Sequence, residues 1–158
     1  MKVAAVKKPG GPGNLIIEER PDPVAGPGEV LVRVRASGVN PSDVKLRAGA
    51  RPGAAMEFAR IVPHSDGAGV IEAVGSGVER SRIGARGWLW NAGWQRAFGT
   101  AAEYVALPSA QACDLPDRTS FEEGACLGIP AMTAWYALFG DGAYLAGQTV
   151  LVSGGAGT

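Results

Sequence analysis

Residues Gln148 to Thr158 read Q-T-V-L-V-S-G-G-A-G-T, a β-branched apolar run that empties into glycines. The first half is the pattern of a buried parallel strand. The second half suits a phosphate-cradling turn, because glycine lets the backbone approach a pyrophosphate and adopt positive φ. A following helix, and an acidic residue roughly 20 positions on to bind a ribose, would complete a dinucleotide-binding unit. Neither falls within the 158 residues. The expectation is nearly all of one domain and only the opening of another, in a truncated or proteolysed chain. A flexible glycine tail is the plainer alternative.

Working back from that stretch, Ser120 with Glu123 forms a capping-box pattern. Pro130 separates the helix it opens from a second one, Ala131 to Phe139, and Gly140 to Gly147 return the chain to the terminal strand. Before about Leu115 the pattern is of strands. Met1 to Val6 and Asn14 to Glu19 flank a Gly10 to Gly13 turn as a hairpin. Glu29 to Ala36 (E-V-L-V-R-V-R-A) alternates Val30, Val32 and Val34 against Leu31, Arg33 and Arg35, a half-buried strand. Asn40-Pro41-Ser42-Asp43 reads as a helix start, with Asn40 as N-cap, Pro41 at the first position and Asp43 beside the positive end of the dipole. That helix ends near Gly49, and Arg51 to Arg60 are loop-like. Asp66 to Gly75 is a strand whose glycines imply a bend or a close backbone contact. Gly84 to Trp90 and Ala101 to Leu107 are further strands, with the aromatic-rich loop Asn91 to Thr100 between them. The boundary falls at 118/119: a mainly β unit over 1–118, then over 119–158 helices leading into a terminal strand and glycine turn.

Composition bounds the function classes. A hydrophobic fraction of 46% with 19% charged residues describes a folded globular chain. Fifteen basic and fifteen acidic residues cancel, so there is no electrostatic footprint for nucleic acid or an anionic membrane. The 24 glycines and 11 prolines imply many tight turns between short strands. Cys113 and Cys126 lack any C-x-x-C partner and read as small core hydrophobes. No leader and no run of about 18 apolar residues occurs, so the expected location is the cytoplasm.

Six strings occur in order: Gly38-Val39-Asn40-Pro41-Ser42-Asp43, Ser65-Asp66-Gly67-Ala68-Gly69-Val70-Ile71, Gly75, Ala102-Glu103-Tyr104, Gly128-Ile129-Pro130-Ala131-Met132-Thr133-Ala134 and Val150 to Gly157. Together they resemble the medium-chain dehydrogenase/reductase superfamily, and within it the zinc-independent quinone oxidoreductase branch that includes zeta-crystallin. The resemblance implies a GroES-like, partly open β-barrel attached to a Rossmann domain, of which this chain holds the first strand. It implies NADPH as cofactor, with NADH not excluded, and a quinone or α,β-unsaturated carbonyl as substrate. It also implies a homodimer formed through the Rossmann sheet. Zinc alcohol dehydrogenases of the superfamily carry a cysteine after the G-V dipeptide and a histidine before the acidic residue of an H-E-G-A-G string. The matching positions here are Asn40 and Ser65, and neither replaces a thiolate or imidazole as a zinc ligand. His64, the only histidine, lies one residue early and reads as a hydrogen-bonded or partly exposed side chain. No metal site is expected, and without a Lewis acid alcohol oxidation is disfavoured.

The resemblance nominates Asn40, Asp43, Lys45 and Asp66 as catalytic candidates, and Asn40, Thr133, Gly154, Gly155, Ala156, Gly157 and Thr158 as cofactor-binding ones. Each has a structural alternative. Asn40 would carry its amide into the substrate cleft, or simply cap the helix. Asp43 would orient substrate or water, or stabilise the helix dipole. Lys45 stands where quinone reductases often carry tyrosine; it takes over the donor role or is a solvated helix lysine. Asp66 follows the lost zinc-ligand position, and its alternative is a turn acceptor. Thr133 would approach the nicotinamide and its phosphates, or bond its own i−4 carbonyl. Trp88, Trp90 and Trp94 form an aromatic patch, with packing favoured for Trp88 and a substrate wall open for the other two. A non-catalytic GroES-like binding or structural module is the alternative function; a zinc alcohol dehydrogenase is disfavoured.

Overall fold

The computed structural model describes residues 1–49, 58–142 and 146–154. Strands β1 (Lys2–Val6) and β2 (Leu15–Glu19) pair antiparallel, Lys2 opposite Glu19 and Val6 opposite Leu15, which is the expected hairpin. The remaining strands are β3 (Glu29–Gly38), β4 (Asp66–Val74), β5 (Arg86–Leu89), β6 (Tyr104–Pro108) and β7 (Ala112–Asp114). They form one antiparallel sheet in the order β6-β3-β4-β5-β7.

The alternation read in β3 sets the core. Val30 and Val32 are fully buried and pack with Ile71, Leu89, Val105 and Leu107, while Arg33 and Arg35 face water. Such a two-faced strand suits an antiparallel sheet with one solvated side. The register of β3 on β4 slips between Leu31 and Val32 and again between Val34 and Ala36. At the second irregularity the backbones approach closely, and a Cβ on Gly69 would lie 2.1 Å from the Arg33 carbonyl oxygen. Only glycine fits there. A smaller cluster, Val3, Ala5 and Val62, joins the hairpin to the main sheet through single bridges Val3–Ala102 and Val6–Ile61.

Helix α1 (Pro41–Ala48) starts at Asn40 in extended backbone and ends on Gly49 in the left-handed region, φ 71°, as a glycine C-terminus should. The Ser120–Glu123 capping box forms: the Ser120 Oγ accepts from Glu123 N–H at 3.1 Å, and Ser120 N–H donates to the Glu123 carboxylate at 2.8 Å. The helix it opens, α2 (Phe121–Gly124), lasts only four residues. A π-type turn over Leu127–Ala131 follows, broken at Gly128 and containing Pro130, before α3 (Met132–Phe139). No helix among the described residues is long and apolar enough to cross a membrane.

Two expectations need correction, and one strand was not expected. Residues 150–153 form no strand, and Val150, Leu151 and Val152 are exposed; a parallel strand takes its hydrogen bonds from neighbours, and among the described residues none pairs with it. Cys126 is exposed and Cys113 half-buried, so neither belongs to the core. Strand β7 lacks a recognisable alternation and is held by its pairing with β5, Trp88 opposite Cys113. Most of the segment read as loop after Gly49 lies outside the described residues.

Candidate functional site

Asp66 begins β4 opposite Gly38, where β3 ends, and its side chain is fully buried. Oδ2 accepts from Asn40 Nδ2 at 2.8 Å and from the Ile129 N–H at 2.7 Å. Oδ1 is buried and has no hydrogen-bond partner. The N-terminus of α1, the start of β4 and the turn before α3 therefore meet on one carboxylate. Two glycines permit it. A Cβ on Gly128 would lie 2.1 Å from Oδ1, and one on Gly38 would lie 2.4 Å from the Ala125 carbonyl oxygen. Burial pushes the Asp66 carboxyl above the usual carboxylate range; the bonds from Asn40 and Ile129 oppose this, and the nearby charge of Asp43 adds to it.

Asn40 is 2% exposed. Its backbone N–H donates to the Asp43 carboxylate at 2.8 Å, while its amide nitrogen serves Asp66. Capping and site geometry thus coincide in one residue. Asp43 is buried too; burial raises its pKa, opposed by hydrogen bonds from the backbones of Asn40 and His64 and by the His64 charge. The structure brings Asn40, Asp43 and Asp66 together. Lys45 is exposed on α1, and Thr133 is exposed on α3. Gly154 has φ 71° with open space around its Cβ position. Gly155, Ala156, Gly157 and Thr158 lie outside the described residues. Ser65 is half-buried, and its carbonyl accepts from Ala92 N–H at 2.9 Å.

A second set of polar residues escapes sequence reasoning. His64 has φ 77°, a left-handed conformation that costs a non-glycine residue about 1–3 kcal/mol. It is pinned there: its carbonyl accepts from Thr100 N–H at 3.0 Å, and a Cβ on Gly99 would approach that carbonyl oxygen to 2.1 Å. The ring Nδ1 lies 2.8 Å from Ser37 Oγ, which lies 2.9 Å from Thr100 Oγ1, which donates to the Asp66 carbonyl. The three links span 27, 63 and 34 residues of sequence, so no local pattern announces them. Burial lowers the His64 pKa, with Asp43 pulling the other way.

The tryptophans divide as side chains of different surroundings. Trp88 packs on the cluster of Ala68, Leu115 and Ala125. Trp90 donates its Nε1 hydrogen to the Ala110 carbonyl at 3.3 Å, and Trp94 is exposed. On α3, Met132, Trp135 and Tyr136 are exposed as well.

The family model described as the alcohol dehydrogenase GroES-like domain matches residues 26–117. Among curated relatives, the rat synaptic vesicle membrane protein VAT-1 homolog is 37% identical over 94% of this chain and 35% of its own length. Mouse quinone oxidoreductase is 36% identical over 99% of this chain and 46% of its own. The chain thus spans less than half the length of these relatives. Among solved structures, a mycobacterial protein complexed with NADPH superposes with a TM-score of 0.76 at 32% identity, over 87% of this chain and 40% of that one. An NAD-dependent alcohol dehydrogenase superposes with a TM-score of 0.79 at 32% identity, over 89% and 47%. The same backbone is thus shared with a protein that binds NADPH and with an NAD-dependent alcohol dehydrogenase. With this fold, these motifs and these relatives, the chain belongs to the alcohol dehydrogenase GroES-like domain family, in the quinone oxidoreductase-like group of the medium-chain dehydrogenases/reductases.

Proposed function

We propose that the chain supplies the substrate-side wall of an NADPH-dependent, zinc-independent reductase acting on a quinone or α,β-unsaturated carbonyl. One observation carries the reading: where zinc alcohol dehydrogenases of the superfamily hold a metal, this chain has Ser65 and a buried Asn40 whose amide nitrogen already donates to Asp66. An amide N–H is a donor with no lone pair to give, so the donor set is wrong for zinc. A conjugated acceptor needs no Lewis acid, because it spreads the charge that develops during reduction over its own π-system.

NADPH would supply the hydride. Gly154 fits that cofactor, since its left-handed φ and open surroundings are what a pyrophosphate-cradling turn demands. Thr133, Gly154 and, beyond the described residues, Gly155, Ala156, Gly157 and Thr158 would hold the nucleotide. Asn40 would position the nicotinamide side of the site. Asp66 fixes Asn40; Asp43 orients the polar end of the substrate, and Lys45 donates to its oxygen. In the wider architecture, 1–118 would be the partly open barrel and 119–158 the linking helices and opening of a dinucleotide-binding domain. The whole protein would be a cytoplasmic homodimer.

The test uses the product of the whole reading frame containing this chain. NADPH oxidation with benzoquinone is expected to be saturable and unchanged by a zinc chelator, with no oxidation of a primary alcohol by NADP⁺. Alcohol oxidation abolished by the chelator would overturn the reading.

A further inference from the structure

Thr100, Ser37 and His64 form a chain whose direction is fixed by its last member. A carbonyl oxygen can only accept, so Thr100 spends its single hydroxyl hydrogen on the Asp66 carbonyl. Thr100 Oγ1 must then accept from Ser37. Ser37, its own hydrogen spent, must accept from His64 Nδ1. The ring is therefore protonated on Nδ1, and when neutral it has a lone pair on Nε2. The positive φ of His64 and the close glycine at 99 hold the residue in place. His64, Ser37 and Thr100 line one end of a groove of about 360 Å³ between the hairpin and the main sheet. Its remaining lining is mostly apolar, among it Val3, Val34 and Ala101, and includes the charged Lys2, Arg35 and Glu103. The groove is shallow and open to solvent along one side, so a ligand seated there keeps one face in water.

We propose that this groove is a binding site for a small phenol, whose ring lies on the apolar walls and whose hydroxyl donates to His64 Nε2. A hydroxyl donor is required because the neutral ring offers an acceptor there; an apolar body is required by the walls. The site needs neither NADPH nor hydride transfer, and it stands or falls separately from the reductase reading. Ser37 and Thr100 act as positioning residues that select the tautomer.

The single histidine makes the test direct. Long-range ¹H–¹⁵N correlation on labelled 158-residue protein should show the Nδ1–H tautomer at neutral pH. Titration with p-cresol should shift the Nε2 resonance saturably, while its methyl ether, which has no donor, leaves it unmoved. Ser37→Ala should lose the tautomer preference and weaken p-cresol binding by about fivefold, one hydrogen bond's worth. An Nε2–H tautomer in the free protein, read without any variant, would overturn the site. Equal shifts with the methyl ether, or no shift with p-cresol up to its solubility limit, would overturn the site.

Discussion

Asp66 is a carboxylate placed where its charge is costly and its acceptors are needed. Truncation to alanine would strand the Asn40 amide and the Ile129 N–H in the interior. Each unsatisfied group costs about 1–3 kcal/mol, so Asp66→Ala is expected to lose about 3 kcal/mol in urea unfolding. Asp66→Asn keeps an acceptor for both donors and removes the charge, but sets its NH2 at the unpartnered Oδ1 position; it should lose less than Asp66→Ala. The pH dependence separates them further. The raised carboxyl contributes stability that is full below the ordinary aspartate pKa, about 3.9, and is lost as pH rises through its folded value. The parent should therefore fall relative to Asp66→Asn on going from pH 4 toward neutrality. His64 has the opposite sign. Its lowered pKa gives stability that is present above about pH 6.5 and lost as pH falls through the folded value. His64→Asn, which tolerates the left-handed backbone, should flatten that acid-side slope. Unfolding midpoints measured across pH check both signs.

Among elements, the sheet's sharpest constraint is the approach of β4 to β3. Gly69→Ala would drive a methyl group to 2.1 Å from the Arg33 carbonyl oxygen, and about 3 kcal/mol of destabilisation is expected, at the upper end of overpacking costs. Gly13→Ala meets nothing within 4 Å and should change the thermal midpoint little. Elements with a strong period were legible before the fold was known: β3 from its valines, α1 from Asn40-Pro41, the Ser120–Glu123 cap from its spacing. Where pairing alone decides, the sequence misleads. Ala112–Asp114 looks like nothing and becomes β7 because β5 lies beside it; residues 150–153 look like a buried strand and form none. The site was legible as names more than as roles. Asp66 reads as a catalytic candidate or a turn acceptor, and it is the buried knot between three elements. That follows from Ile129, which lies 63 residues away and which no local pattern connects to it. The histidine chain was invisible for the same reason.

For the whole molecule, the informative surface is α3 with the segment after it. Met132, Trp135 and Tyr136 are exposed, as are Val150, Leu151 and Val152. Trp135→Ser in this chain should shift the unfolding free energy by no more than about 0.5 kcal/mol, since the side chain is 62% exposed. The same change in the product of the whole reading frame should cost more, because α3, which carries the proposed nucleotide-binding Thr133, would face the dinucleotide-binding domain there. The proposed chemistry is hydride transfer without metal. It is tested most directly by reducing an α,β-unsaturated ketone with NADPH deuterated at the transferable nicotinamide position, using that whole product in the presence of a chelator. One deuterium on the β-carbon of the saturated ketone is expected, found by mass spectrometry and NMR. Loss of turnover in chelator, or deuterium at that carbon only when the reaction is run in heavy water, would contradict it.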